Sequence, residues 1–523
     1  MPFSETMPGV ADSPTVQPTA PPAASLWAKL VRDANGQVTA WHSLVDHSAD
    51  VAAVLAALLD QPTINARLAR AVGRDKLDEV TCVRLAALAF LHDIGKANRG
   101  FRRRIDPNAP AVGHIDQLAW LFMTRDGESL CGRLVEVLGL DRMADWFAGE
   151  DAAFELWQTV FAHHGRPWNN APANAAIHWQ KDGTGDPIGE LALMRMALDH
   201  WFAPAFGPGS TLPDAPAFHH AFAGLLMLAD WLGSDQQFFP FANGAAADRM
   251  AEARKMADEA LRAVGLDVKT RREWVSTGPS DFSMLFGVRD PRPVQRDAIL
   301  PAACCVVLEA ETGSGKTEAA LWRFRDLFLN GQVDGLYFAL PTRVAATQMF
   351  TRIKRFRDRL FPESDRPAVV LAVPGQVGAD AARGHPLPDF GFEWDDQPDE
   401  VRRQARWAAE HPKRFLAAQI AVGTVDQALL AAVAIRHAHL RGTALLRHLL
   451  VVDEVHASDR YMEVLLANLL RGHLQAGGHA LLLSATLGAA MQARLLDTAL
   501  PPLAEAQAVP YPALSWADGG ARR

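Results

Sequence analysis

The stretch Ala310-Glu311-Thr312-Gly313-Ser314-Gly315-Lys316-Thr317 decides how the C-terminal half of this chain folds. It follows the apolar run Cys304-Cys305-Val306-Val307-Leu308-Glu309 and opens the helical pattern Glu318-Ala319-Ala320-Leu321-Trp322. Strand, glycine-rich turn and helix together form the frame of a phosphate-binding loop. Gly313 and Gly315 let the backbone curl so that successive N–H groups face phosphate oxygens, and the helix N-terminus adds its partial positive charge. In that frame Thr312 to Gly315 wrap the phosphates. Lys316 reaches the β- and γ-phosphates, and the Thr317 hydroxyl takes a Mg²⁺ position.

Downstream, short apolar runs alternate with helical stretches. Gly335–Leu340 ends at Pro341-Thr342-Arg343, and Ile420–Val422 leads to Gly423-Thr424-Val425-Asp426-Gln427. Leu449–Val452 leads to Asp453-Glu454-Val455-His456, and Ala480–Leu483 leads to Ser484-Ala485-Thr486. This order predicts a doubly wound parallel sheet with every one of these loops past a strand C-terminus, where such sheets bind ligands. Asp453 suits a Mg²⁺ position, and Glu454 suits a general base for water. Upstream, Gln295 offers an amide that can pair bidentately with an adenine edge. Pro341-Thr342-Arg343 and Gly423-Thr424 are candidate DNA-backbone contacts.

From Trp27 to about Met256 the periodicity is mainly helical and no alternating strand pattern stands out. Set into these helices are His47, His92-Asp93, His114, His163-His164 and Asp230. Imidazole with carboxylate suits Mn, Fe, Co, Ni or Zn, and the lack of cysteine in the set argues against a structural zinc. An Asp can bridge two cations ~3.5–4 Å apart, the arrangement that activates a water and stabilises a phosphodiester leaving group. Polar groups ending the apolar helix Leu85–Leu91 are costly to bury unpaired, so a metal gives His92 and Asp93 a reason to be there. His42, His178, His200, His219 and His220 are expected at helix caps or the surface.

The ordered set resembles the HD-superfamily phosphohydrolases. The forms His92-Asp93-Ile94-Gly95-Lys96, His163-His164-Gly165 and Ala229-Asp230-Trp231-Leu232-Gly233-Ser234, with the DExH motifs above, resemble CRISPR-associated helicase-nucleases of type I systems. The resemblance implies a multidomain fold: an all-α HD domain followed by an α/β RecA-like lobe. The expected boundaries are a disordered tail at 1–25, the HD domain at 26–264, a linker at 265–290 and the first RecA-like lobe at 291–523. It also implies one or two divalent transition-metal ions (Mn, Fe, Co or Ni) on His47, His92, Asp93, His114, His163, His164 and Asp230. Lys96 would touch the scissile phosphate. ATP with Mg²⁺ would sit on Gln295, Thr312–Thr317, Asp453 and Glu454. The implied function is single-stranded DNA cleavage coupled to 3′-to-5′ ATP-driven translocation, on recruitment by a crRNA-guided surveillance complex. The second RecA-like lobe, whose arginine fingers complete the ATP site, and the C-terminal accessory domain of the family are expected to be absent from this chain, through a truncated gene, a split gene with a separate partner lobe, or a fragment. Little ATP turnover is expected of this chain alone. A nucleotide phosphohydrolase with a regulatory ATPase lobe, and a non-catalytic DNA- or partner-binding subunit, are the alternatives.

Composition bounds these readings. At 523 residues two or three domains are expected. The net charge of −8 confines nucleic-acid contacts to local basic sets, such as Arg99, Arg102, Arg103 and Arg104, or Arg352, Lys354, Arg355, Arg357 and Arg359. No apolar run is long enough to cross a bilayer, the first 24 residues do not read as a signal peptide, and Cys82, Cys131, Cys304 and Cys305 lack zinc spacing. A reducing, cytoplasmic setting without membrane contact is expected.

Overall fold

The computed structural model describes residues 25–518 and 521–522, apart from 111, 166–170, 174, 184, 242–247, 374–375, 380–381, 387–391, 395–416 and 458. The expected N-terminal tail lies outside the described residues. The N-terminal domain is a helical assembly built around the helix Leu44–Leu59, which is buried on nearly all sides. A helix that is apolar from Val51 to Leu59 and buried all round belongs inside a bundle, and this one is packed by Glu79–Phe90, Pro216–Gly233 and Arg249–Ala263. Ser43 starts it, its Oγ accepting from the Asp46 N–H at 3.0 Å.

One feature was not expected from the sequence. Strands β1 (Trp27–Arg32) and β2 (Val38–Ser43) form an antiparallel ribbon on this domain. Its anchor is a small aromatic cluster of Trp27, Trp41 and Phe101, with the Trp27 and Phe101 rings 4.7 Å apart. The stretch 265–290, read as a linker, has secondary structure of its own. It contains the helices Lys269–Thr277 and Phe282–Phe286, the second capped by Asp281, and Val275, Phe282 and Leu285 enter the core of the second domain.

The second domain is an α/β sheet. Its strands are β3 (Cys305–Glu309), β4 (Gly335–Leu340), β5 (Val369–Val373), β6 (Gln376–Ala379), β7 (Ala382–Pro386), β8 (Phe392–Trp394), β9 (Ile420–Thr424), β10 (His448–Val452), β11 (His479–Ser484), β12 (Ala513–Asp518) and β13 (Ala521–Arg522). Their order is β13-β12-β3-β11-β10-β4-β9-β5-β6-β7-β8. The six central strands, β3 to β5 in that order, are parallel throughout. Period-two alternation splits their side chains between two cores. Val306, Leu308, Phe338, Val451 and Leu483 pack under the helices Lys316–Leu329 and Arg343–Leu360. Val307, Tyr337, Ala339, Leu450 and Leu482 face the other way and join one continuous apolar cluster with the N-terminal helices.

Polar contacts also fasten the domains along that shared face. Thr63 Oγ1 donates to Asp334 at 2.7 Å, Arg67 Nε to the Leu446 carbonyl at 3.1 Å, and Thr443 Oγ1 to the Ala221 carbonyl at 3.2 Å. Among the described residues no helix is long and apolar enough to cross a membrane.

Candidate metal centre and nucleotide cleft

The seven residues predicted to hold metal converge on one centre. His92 and Asp93 end the helix Glu79–Phe90, His47 comes from Leu44–Leu59, and Asp230 from Pro216–Gly233. His114 precedes Ile115–Met123, and His163-His164 follow Glu150–Phe161. Asp93 sits in the middle with its two oxygens facing opposite ways. Oδ2 lies 3.1 Å from His47 Nε2 and 3.2 Å from His92 Nε2, while Oδ1 lies 3.1 Å from His114 Nε2 and 3.4 Å from His163 Nε2. Asp230 Oδ1 approaches His47 and His92 at 3.6 and 3.7 Å, and His164 Nε2 approaches His114 Nε2 at 3.0 Å. The result is two four-residue groups sharing Asp93: His47, His92, Asp93 and Asp230, and Asp93, His114, His163 and His164. In each, one ligand atom per residue lies within 4.8 Å of the others.

The surroundings fix the rings for coordination. His92 Nδ1–H donates to the Ala89 carbonyl at 2.7 Å and His163 Nδ1–H to the Val160 carbonyl at 3.0 Å. Both bonds occupy Nδ1 and turn Nε2 inward, the ring orientation a metal ligand needs. Asp93 Oδ1 and the Nε2 atoms of His92 and His163 are buried, yet none makes a hydrogen bond. Buried polar atoms are normally satisfied, and a shared cation would satisfy all three at once. The donor set therefore fits a pair of divalent transition metals.

Carboxylate charge dominates the electrostatics, and a cation taken up here would displace a proton from His92. Burial opposes charge on Asp93, but Lys96 and His92 hold its carboxyl well below the usual range. Burial also opposes protonation of His92, yet Asp93 and Asp230 carry its pKa up to about 9. Burial and the neighbouring His163 and His114 push His164 down to about 3. Lys96 pairs with Asp93 and lies 5.8 Å from the Phe101 ring. The first group is buried on all four members, whereas His164 is exposed and His114 half-buried, so the centre opens to solvent on the second group's side.

Several contributors were not anticipated. Gly95 permits the close approach of the His114 turn, because a Cβ there would lie 2.5 Å from the His114 carbonyl oxygen. Asn98 ties the same two turns, donating to the Gly95 and Gly113 carbonyls at 2.8 and 3.1 Å. Behind His47, Asp50 is fully buried. It accepts from Arg249 Nε and Nη2 at 2.8 and 2.7 Å and pairs with His42 Nε2 at 2.8 Å. His42 and His219, expected at the surface, are both buried, whereas His200 and His220 are exposed.

The nucleotide motifs gather at the C-terminal ends of β3, β10 and β11. Gly315 has φ +88°, and a Cβ on it would meet Gln295 Nε2 at 1.9 Å, so both its conformation and its contact require glycine. Gln295 Oε1 accepts from the Arg292 N–H at 3.0 Å, while Lys316 Nζ donates to the Ala310 carbonyl at 2.8 Å. Ser314, Lys316 and Thr317 are buried and Thr312 exposed. Burial and Glu454 raise the Asp453 pKa, and Glu454 adopts φ +52°. His456 Nδ1 reaches both Glu454 Oε2 at 3.3 Å and Ser484 Oγ at 3.0 Å, joining two of the predicted motifs. A cleft of about 450 Å³ beside the loop is lined by Gln295, Gly313, Gly315, Arg352, Arg355 and Arg359, among others. Part of the basic set 352–359 thus faces the nucleotide loop. Arg357 is buried and donates to the Pro367 carbonyl at 2.9 Å, so it braces the fold.

A centre with two ligand groups beside a phosphate-loop sheet narrows the comparison. Residues 27–239 match the Cas3 HD-domain family and residues 292–493 the DEAD/DEAH box helicase family. The chain belongs to the Cas3 family. It is 31% identical to the CRISPR-associated endonuclease/helicase Cas3 of Thermus thermophilus, aligned over 94% of this chain and 52% of that protein. The crystal structure of T. fusca Cas3-ATP is similar at TM-score 0.66 and 26% identity, over 96% of this chain and 56% of that one. A chain in a pre-nicking CRISPR RNA-guided surveillance complex is similar at TM-score 0.54 and 25% identity, over 90% of this chain and 48% of that one. The chain spans about half the length of the relatives it matches. The HD match contains all seven metal-capable residues, and the helicase match contains Gln295, the phosphate loop and Asp453-Glu454.

Proposed function

We propose that this chain is a metal-dependent nuclease for single-stranded DNA, joined to one lobe of an ATP-driven 3′-to-5′ translocase that serves CRISPR interference in the cytoplasm. The observation that carries this reading is the division of the Asp93 carboxylate between two ligand groups. His47, His92 and Asp230 would hold one cation and His114, His163 and His164 the other, with Asp93 between them. Mn, Fe, Co and Ni all suit these donors. When bound, such a pair supplies Lewis acidity, which lowers the pKa of water and offsets charge on a phosphodiester. The residues do the rest. The Ala89 and Val160 carbonyls hold His92 and His163 in the ligating orientation. Lys96, paired with Asp93 Oδ2, would touch the scissile phosphate.

In the cleft, Lys316 and Thr317 would meet the ATP phosphates and their Mg²⁺, Gln295 the adenine, and Asp453 and Glu454 the Mg²⁺ and the attacking water. A second RecA-like lobe and a crRNA-guided surveillance complex are the proposed partners, the latter supported by the similarity to a chain of such a complex.

The test is cleavage of circular single-stranded DNA in Mn²⁺ or Ni²⁺, with metal content measured in parallel. Wild type is expected to hold metal and cut, whereas Asp93→Ala loses both and keeps ATP affinity. Undiminished cutting by that variant, or release of nucleoside or phosphate from nucleotides without DNA cleavage, would refute the proposal.

A further inference from the structure

One segment of the second domain touches the chain beside the metal centre. After β9 the chain turns at Val433–His437, forms the helix Ala438–Leu446, and runs on into β10, which delivers Asp453 and Glu454. At the tip of this turn, Arg436 Nε donates to the His164 carbonyl at 2.9 Å. His437 is buried and holds φ +64°. Its ring lies 5.5 Å from that of Trp231, the residue after Asp230. On its other side is Gly165, the residue after His164, where a Cβ would lie 2.8 Å from both the backbone nitrogen and Nδ1 of His437. Gly165 has φ +83°, so this turn is shaped to let the second domain come close.

The same approach continues along the following helix. A Cβ on Gly224 would meet the His439 carbonyl oxygen at 2.5 Å, and the His220 and His439 rings lie tilted with centroids 4.3 Å apart. The helix bearing Asp230 is therefore locked to the helix that feeds β10.

His164 and Asp230 belong to different ligand groups. Arg436 and His437 touch the backbone or neighbour of one member of each. We infer that these two are positioning residues of the nuclease. Held by the helicase lobe, they set the separation between the His163-His164 turn and the Asp230 helix, and so the spacing of the two cation positions. Displacing them weakens the more open position, formed by Asp93, His114, His163 and His164, more than the buried one. Partners that orient metal ligands commonly change affinity by ~10–100-fold when removed.

This inference rests on the two-cation reading of the centre. Its test is Mn²⁺ titration by calorimetry on the full chain, with thermal melting and binding of a fluorescent ATP analogue as companions. Arg436 is exposed, so Arg436→Ala is expected to fold. It should bind the first Mn²⁺ as wild type does and the second at least about tenfold more weakly, with melting and ATP affinity unchanged. Arg436→Lys, which keeps a donor for the His164 carbonyl, should recover part of that loss. His437→Asn, which tolerates the left-handed backbone but removes the ring, should weaken the same position. Unchanged Mn²⁺ binding in Arg436→Ala and His437→Asn would overturn the inference, provided Asp93→Ala has lost Mn²⁺. If Asp93→Ala still binds two Mn²⁺, the two-cation reading itself has failed. A parallel fall of Mn²⁺ and ATP affinity in Arg436→Ala would show a contact that merely holds the domains together, and would also overturn it.

Discussion

Replacing Arg249 by Met tests how the first ligand group is supported. The Asp50 carboxylate is fully buried and takes two charge-assisted bonds from Arg249, at 2.8 and 2.7 Å, plus the His42 contact at 2.8 Å. Arg249→Met removes two of these three and leaves the carboxylate in an apolar interior. Breaking a buried ion pair from one side costs about 3–5 kcal/mol, because the charge left behind is uncompensated. The surviving His42 contact argues for the lower part of that range, about 3–4 kcal/mol. For a domain of this size that is a fall of roughly 6–16 °C in the melting temperature. Adding Asp50→Asn removes the stranded charge, and the double variant should regain about 2 kcal/mol over Arg249→Met alone. Asp50 lies on the same helix as His47, less than one turn away, so Mn²⁺ binding at the buried position should weaken in the single variant and partly return in the double. Scanning calorimetry with Mn²⁺ titration reads both effects. A loss below about 1 kcal/mol in Arg249→Met, or a double variant no more stable than the single, would refute the reasoning.

Gly95→Ala would place a methyl 2.5 Å from the His114 carbonyl oxygen, so the His114 turn must retreat. Calorimetric Mn²⁺ stoichiometry should fall while far-UV circular dichroism stays native. Gly315→Ala combines a left-handed backbone with a collision against Gln295. Fluorescent-ATP titration should show a loss of affinity of about 5- to 30-fold, the order expected from ~1–2 kcal/mol of strain. His473 is buried, with Nε2 3.1 Å from the His479 carbonyl, and burial lowers its pKa to about 4. A histidine depressed in the fold favours folding above its unfolded pKa of ~6.5 and loses that contribution as pH falls toward its folded value. Urea titrations from pH 7 to 4 should therefore show stability falling below pH 6.5, by about 1.4 kcal/mol per unit from this group. In His473→Asn that component of the slope should vanish.

How much could be read beforehand depended on whether chemistry or packing made the choice. A phosphate loop needs glycines and a lysine at fixed offsets, so residues 310–317 stood out at once. His92-Asp93 stood out because two polar groups closing an apolar helix need a reason to be there. What stayed hidden was pairing at a distance. Asp50 looked like an ordinary helix residue because Arg249 lies 199 positions downstream. His42 and His219 were expected near solvent and are buried, since burial depends on which helices lie above them. The β1–β2 ribbon is short, and its anchor Phe101 comes from a different part of the chain. The helices Lys269–Thr277 and Phe282–Phe286 were masked by the turn residues between them, Gly278-Pro279-Ser280-Asp281, which end one helix and cap the next.

The apolar cluster that runs without a break from the Leu44–Leu59 helix to Val307 and Leu482 of the sheet has a practical consequence. Cutting the polypeptide between its two domains should expose apolar surface on both halves. Each would carry away a raw greasy surface that the other had covered, and each should clump when expressed by itself. Co-expressed, the halves should find one another again and purify as a pair.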